Sequence, residues 1–244
     1  MTYSTIIYEK KGTIAYVTLN RPDRLNAYDI EMRDDLFEAF GVVRDDPDVR
    51  AMIVSGSGNA FCAGADLSEF GTAPSPVIAR DVRWERNVWG VLKNLDKLTI
   101  AAMHGYALGS GLELALFCDI RIAAEGTKLG LPETALGFIP AAGATQSLPR
   151  VVKRGSALSM ILLCERIDAR EAHRLGLLNS VVGAESLMQE AEMMASKILA
   201  GGPLAVPLAK QAINRGLDLT LREGIALERR LWDLAFASRD SSIT

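Results

Sequence analysis

Histidine and cysteine are scarce in this chain. His104 and His173 are the only histidines among 244 residues, so a multi-histidine metal centre is excluded and no metal ligand set is expected. The three cysteines, Cys62, Cys118 and Cys164, are scattered and odd in number. They make neither a disulfide framework nor a metal spacing, which places the expected home of the protein in a reducing cytoplasm. An excess of positive charge is missing too. The net charge is −3, and phosphate neutralisation needs a basic surface, so no nucleic-acid partner is expected. No apolar run approaches the ~20 residues that cross a bilayer, and no membrane partner is expected. The opening MTYSTIIYEKKG has neither the apolar core of a signal peptide nor an Arg-rich amphipathic pattern, so no targeting segment is expected.

The remainder is an ordinary globular profile, 49% apolar and 23% charged. The length suffices for one large core, or one domain with an appendage. Residues 13–19 (TIAYVTL) alternate as a strand does, and residues 5–9 can pair with them across a turn at 10–12. A polar loop, NRPDRLN, follows. Asp29 caps an expected helix to residue 44, with Leu36, Phe37, Phe40 and Val43 on one face. Residues 51–55 and 99–103 are short continuous apolar runs, the pattern of buried strands. Between them lie a glycine-containing loop (56–66), an irregular connection at Pro74 and Pro76, and an expected helix over 80–95. Helix is expected at 111–117, strand at 120–124, helices at 156–163 and 169–175, and a last strand at 178–182. Beyond Gly183 three helical patterns follow with no strand between them, at 185–199, 204–216 and 219–237. The expected organisation is a mixed α/β core over residues 1–183 and a helical region over 184–244.

One stretch, HGYALGSGLELALFCDIRIAAEGTKLGLPETALGFIP (104–140), concentrates the chemistry. A Gly-rich turn runs into an apolar helical segment, and two carboxylates, Glu113 and Glu133, sit in apolar surroundings. Burying a carboxylate is costly unless something compensates. Each acid alone has a structural explanation, as a first-turn residue facing a helix dipole. Together they match general acid/base catalysis, one group taking a proton while the other gives one. Two glycine turns, Ala63-Gly64-Ala65 and Gly109-Ser110-Gly111, follow the strands at 51–55 and 99–103. If those strands are neighbours, both turns emerge on one edge. Their uncovered N–H groups could then hold a developing oxyanion. The plainer alternative is that the glycines only permit tight turns.

Other residues read as support. His104 is placed to hold its loop by hydrogen bonding, His173 reads as surface, and Asp119 as a partner of nearby backbone. Cys62 lacks a histidine that would make it a nucleophile. GYALGSG does not fit GxGxxG, and no GK[ST] follows the glycines, so neither a dinucleotide fingerprint nor a P-loop is present.

In these residues the sequence resembles the crotonase superfamily, the enoyl-CoA hydratase/isomerase family. Four segments carry the likeness in order: LNRPDRLNAYD, AFCAGADL, GYALGSGLELALFCD and GLPETALGFIPAAGATQSLPR. The resemblance implies a spiral of ββα units with a C-terminal helical trimerisation region, assembled as a homotrimer or a dimer of trimers. It implies an acyl-CoA thioester substrate and no separate cofactor, coenzyme A being part of the substrate. By resemblance the backbone N–H groups of Ala65 and Ser110 form the oxyanion hole. Glu113 becomes the base that activates water, and Glu133 the acid that protonates C2. The early loop brings Arg24, Leu25 and Ala27 to the substrate, and the second segment brings Ala63, Gly64, Asp66 and Leu67. Gly109, Leu136 and Pro140 complete the implied substrate and CoA contacts.

The sequence also departs from the family pattern. Ser110 replaces a glycine of the turn. Ala141 and Ala144 replace glycines of PGxGGTQR, and Ser147 its arginine. Ser68 and Glu69 stand where a lysine often follows the GAD-like motif. Arg24 is the candidate replacement contact for a CoA phosphate. The resemblance also implies a further helix after FASRDSSIT, and the sequence stops at Thr244 before it. Having both glutamates favours an enoyl-CoA hydratase. The alternatives are an enoyl-CoA isomerase, a hydratase for branched or cyclic acyl groups, and a non-catalytic acyl-CoA-binding protein.

Overall fold

Alternation in β2 (Ile14–Leu19) buries Ala15, Val17 and Leu19, while β1 (Ile6–Lys11) pairs with it antiparallel. The computed structural model describes residues 2–238, apart from the side chains of Pro76, Ala79, Arg80, Arg83 and Trp84. Residues 239–244, the end of the expected helical region, lie outside the described residues. The helix α1 (Ile30–Asp45) starts where Asp29 Oδ1 accepts the Met32 N–H at 2.8 Å. It buries Leu36, Phe40 and Val43 as expected, together with Met32 and Ala39, and leaves Phe37 at the edge of the core.

β3 (Ala51–Gly56) pairs parallel with β2. The single helix expected over 80–95 is two: α2 (Pro76–Glu85) and α3 (Val88–Lys93). Arg86 takes an extended conformation, and the Asn87 side chain caps the second helix by accepting the Gly90 N–H at 2.9 Å. The apolar periodicity continues across this break and so conceals it.

β4 (Leu98–Met103) lies parallel to β3, side by side, as the oxyanion-edge expectation required. The chain continues through β5 (Tyr106–Leu108), α4 (Ser110–Phe117), β6 (Ile120–Ala124) and β7 (Lys128–Gly130). Next come α5 (Ala144–Val151), α6 (Arg154–Leu162), β8 (Ile167–Asp168), α7 (Ala169–Arg174) and β9 (Ser180–Val182). The main sheet runs β1-β2-β3-β4-β6-β9, and β5-β7-β8 form a small second sheet. The short strands β5, β7 and β8 and the helix α5 were not expected from the sequence.

Both faces of the main sheet are covered, which is why its central strands are continuously apolar. Met52, Val54, Ala101 and Met103 face one cluster with α1, α3 and α4. Ala51, Ile53, Ile100 and Ile122 face the other, built on Leu187, Ala191 and Ala195 of α8 (Leu187–Leu199). The expected helical region therefore begins with a helix that seals the sheet. The last two helices, α9 (Ala205–Gly216) and α10 (Leu221–Ala237), pack on each other as a hairpin. Lys210 ties this hairpin to the core through Asp119, at 2.7 Å, and the Lys97 carbonyl.

Candidate active site

The site begins at the junction of β5 and α4. Gly109 caps α4 with φ +49° and ψ −125°, a conformation that side chains disfavour. The next residue, Ser110, is the first of the helix. Its backbone is right-handed, so serine is accommodated there, and its N–H has no carbonyl one turn back to receive it. Gly111 is required by packing, because a Cβ there would meet the Cys62 carbonyl oxygen at 2.4 Å. Conformational strain thus falls on Gly109 and close approach on Gly111, which leaves the middle position open to substitution.

The earlier loop meets this turn edge to edge. Cys62 bridges Ala107, with Cys62 N–H donating to the Tyr106 carbonyl and Leu108 N–H to the Cys62 carbonyl. Gly64 then passes so close that a Cβ on it would stand 3.3 Å from the Leu108 carbonyl oxygen. Tyr28 bridges Ala65 in parallel, donating to Gly64 O and accepting from Asp66 N–H, both at 2.8 Å. Those bonds go to the two neighbours of Ala65, so its own N–H and C=O turn to the opposite side. The structure therefore brings the two expected donors, Ala65 N–H and Ser110 N–H, onto adjoining turns.

The two glutamates converge behind these turns. Glu113 is 2% exposed, and its Oε1 accepts the N–H groups of Ala142 and Ala144 at 2.9 and 3.1 Å. Gly143, at φ +116°, lets the chain present both donors to one oxygen. Burial nevertheless dominates and pushes the Glu113 carboxyl up to about 7, with the Glu133 charge adding to the rise against those N–H groups. Glu133 lies in a short helical turn, Pro132–Leu136. Burial raises its pKa as well. Its Oε2 is buried with no hydrogen-bond partner, and its Oε1 lies 2.6 Å from where a Gly109 Cβ would stand. An unpartnered buried carboxyl oxygen suits a group that carries a proton, whereas two N–H donors suit a carboxylate.

The other expected contacts surround this centre. Arg24 and Leu25 are exposed, and the Leu25 carbonyl receives the Ala63 N–H at 3.0 Å, which sets the early loop against the oxyanion turn. Ala27 is half-buried beside Tyr28, Leu67 is exposed, and Asp66 is buried with its carboxylate held by Arg21 and Ser68. Leu136 is exposed and Pro140 buried, on the segment between Glu133 and Ala142. Phe70 packs edge-on against Phe138 at 5.4 Å, so the apolar rims after Leu67 and Leu136 meet. His104 Nε2 contacts the Gly58 carbonyl at 2.9 Å, in the supporting place expected.

Sequence reasoning missed Ala142 and Ala144, because they act through backbone N–H groups that any residue type supplies. The glycine at 143 inside AAGAT was the available signal. It also missed Arg21 and the buried Asn26, and read Asp29 as a helix cap only; together these three stitch the early loop to its neighbours. Asn26 Nδ2 donates to the carbonyls of Ser57 and Ala60 at 2.9 and 2.7 Å.

Two amides turned toward one edge, with the buried Glu113 and the half-buried Glu133 behind them, make an arrangement able to polarise a carbonyl and move protons beside it. The family model for enoyl-CoA hydratase/isomerase matches residues 9–243, and the chain belongs to that family. It is 40% identical over 242 residues to the crotonyl-CoA hydratase of Syntrophomonas wolfei, covering 98% of this chain and 93% of that one. It is 39% identical over 241 residues to a short-chain-enoyl-CoA hydratase of Clostridium acetobutylicum, covering 98% and 92%. The crystal structure of an enoyl-CoA hydratase from Bacillus anthracis superposes with a TM-score of 0.92 at 36% identity, covering 97% and 93%. The fold is the crotonase fold.

Proposed function

We propose that this protein hydrates the C2–C3 double bond of short-chain 2-enoyl-CoA thioesters. The single observation that carries the reading is the pairing of buried Glu113 with half-buried Glu133, whose Oε2 is itself buried, behind the turns that present Ala65 and Ser110 N–H. Water adds at C3 as Glu113 takes its proton. The C2–C3 electron pair moves into the thioester, whose oxygen becomes enolate-like between the two amides. The enolate then re-forms the carbonyl and takes a proton at C2 from Glu133. Charge on that oxygen is greatest in the transition state, so the amides lower the barrier more than they tighten substrate binding. The pair needs one proton in total, and repulsion between two carboxylates withdrawn from water favours such a singly protonated state.

Names of the relatives support a short acyl chain. Arg24 is the proposed CoA phosphate contact, supported by its exposure beside Leu25 and Ala63. A homotrimer or dimer of trimers is proposed, supported by the apolar surface of the last hairpin, with Leu217 68% and Leu221 81% exposed. The cytoplasm is the proposed location, supported by three free thiols. No helix among the described residues is long and apolar enough to cross a membrane.

The test is a panel of acyl-CoA thioesters given to the wild-type enzyme. Hydration of crotonyl-CoA at a higher kcat/KM than longer or branched 2-enoyl-CoA supports the reading. Migration of a 3-enoyl double bond without hydration would replace it with an isomerase, and binding without turnover would replace it with a carrier.

A further inference from the structure

Arg21 stands in none of the roles assigned above, yet its guanidinium makes three polar contacts around the oxyanion turn. Nη2 pairs with Asp29 Oδ2 at 2.9 Å and with Asp66 Oδ2 at 3.0 Å, and Nη1 donates to the Ala27 carbonyl. Each carboxylate is divided in the same way. Asp29 gives its other oxygen to the Met32 N–H at the start of α1, and Asp66 gives its other oxygen to the N–H and hydroxyl of Ser68. The three charged side chains are only 20%, 12% and 10% exposed, so water screens this cluster little.

The positions matter more than the charges. Ala27 precedes Tyr28, and Asp66 follows Ala65. Tyr28 and Ala65 form the bridge that turns the Ala65 N–H outward. Arg21 therefore holds both strands of that bridge at the residues next to it. The Arg21 main chain is fixed in turn, because its N–H donates to Asn26 Oδ1 at 2.7 Å and its carbonyl accepts the Asn26 N–H at 2.9 Å. We propose that Arg21 is a positioning residue of the oxyanion hole, clamping the Tyr28–Ala65 bridge and so fixing the direction of the Ala65 N–H. This rests on the reading of that N–H as a thioester donor. The planar fork meets three acceptors at once, which a lysine ammonium cannot reproduce from the same stem.

The test compares wild type, Arg21→Ala and Arg21→Lys in two measurements. One is kcat and KM for crotonyl-CoA hydration. The other is the absorbance red shift of a bound conjugated 2,4-dienoyl-CoA, which reports polarisation of the thioester carbonyl. Arg21→Ala is expected to lower kcat by roughly 10²-fold, the scale of a small misplacement, with KM little changed and the red shift diminished. Arg21→Lys is expected to fold, keep one ion pair and show smaller losses of both quantities. If Arg21→Ala does not fold, Arg21→Lys carries the test by itself. Wild-type kcat and red shift in the folded variant overturn the inference. So does a loss of kcat with the full red shift retained, because the hole is then intact. A wild type that neither hydrates nor shifts the bound thioester overturns the oxyanion-hole reading itself and the inference with it.

Discussion

Glu113 holds two backbone N–H donors and is still pushed up to about 7, because burial outweighs both bonds. The sign of the stability effect follows. In the unfolded chain this carboxyl ionises near 4.5, and in the folded chain near 7. Between those values the folded state binds more protons, so this residue's contribution to stability falls as pH rises through the window and stays low above it. The cost at pH 8 is on the order of 3 kcal/mol at ~1.4 kcal/mol per unit. Glu113→Gln keeps an oxygen for Ala142 and Ala144 but removes the charge. Its Tm is expected to exceed wild type by several degrees at pH 8 and to approach it near pH 4.5, read by calorimetry at fixed protein concentration. An equal difference at both pH values would contradict the assigned burial cost. Both glutamates were legible in the sequence as acids inside apolar runs. Their electrostatic setting was not, because it depends on amides contributed by residues 142–144.

At the scale of elements, the turn between β5 and α4 divides its demands among three adjacent residues. Gly109 takes the disfavoured dihedrals and the contact with Glu133, Ser110 supplies an N–H from an ordinary helical conformation, and Gly111 lets Cys62 approach. Gly109→Ala forces a Cβ against Glu133 Oε1 in a backbone conformation that alanine disfavours. It is expected to lower kcat on the order of 10²-fold by displacing that acid, whereas Ser110→Gly is expected to stay within a few-fold of wild type. Initial rates with crotonyl-CoA check both, and a Gly109→Ala enzyme with wild-type kcat would contradict the division. The long parallel strands were legible as unbroken apolar runs, and Asp29 as a helix start. The strands β5 and β7 were not, because three residues carry too little periodicity and their hydrogen bonds are nonlocal. The interruption between α2 and α3 was hidden because Trp89 and Leu92 continue the apolar pattern into a second helix.

Across the whole molecule, the sheet covered on both faces gives the two loops at the strand ends a rigid base. The described fold gathers residues 21–28, 61–67, 109–113 and 133–144 around the one proposed catalytic centre. The last hairpin stands apart from it. The residues of α9 are all at least partly exposed, and α10 buries only Leu227 and Leu231. Apolar surface of that extent is characteristic of association. Sedimentation velocity is expected to find a trimer or hexamer of the 26.4 kDa chain, and a monomer at micromolar concentration would contradict the proposed assembly. The family and the order of its segments were legible from the start, whereas the covering of α8 on the sheet depends on packing that sequence spacing does not specify.

The proposed hydration requires above all that the two glutamates act as a base and an acid on one substrate. Crotonyl-CoA hydration by wild type, Glu113→Gln and Glu133→Gln tests this most directly, with binding of a saturated acyl-CoA measured alongside. Each substitution is expected to lower kcat by about 10²–10⁴-fold, the usual contribution of a positioned acid or base, while the saturated ligand binds nearly as tightly as before. Near-normal turnover by either folded variant would contradict the role given to that residue, and with it the two-carboxylate mechanism.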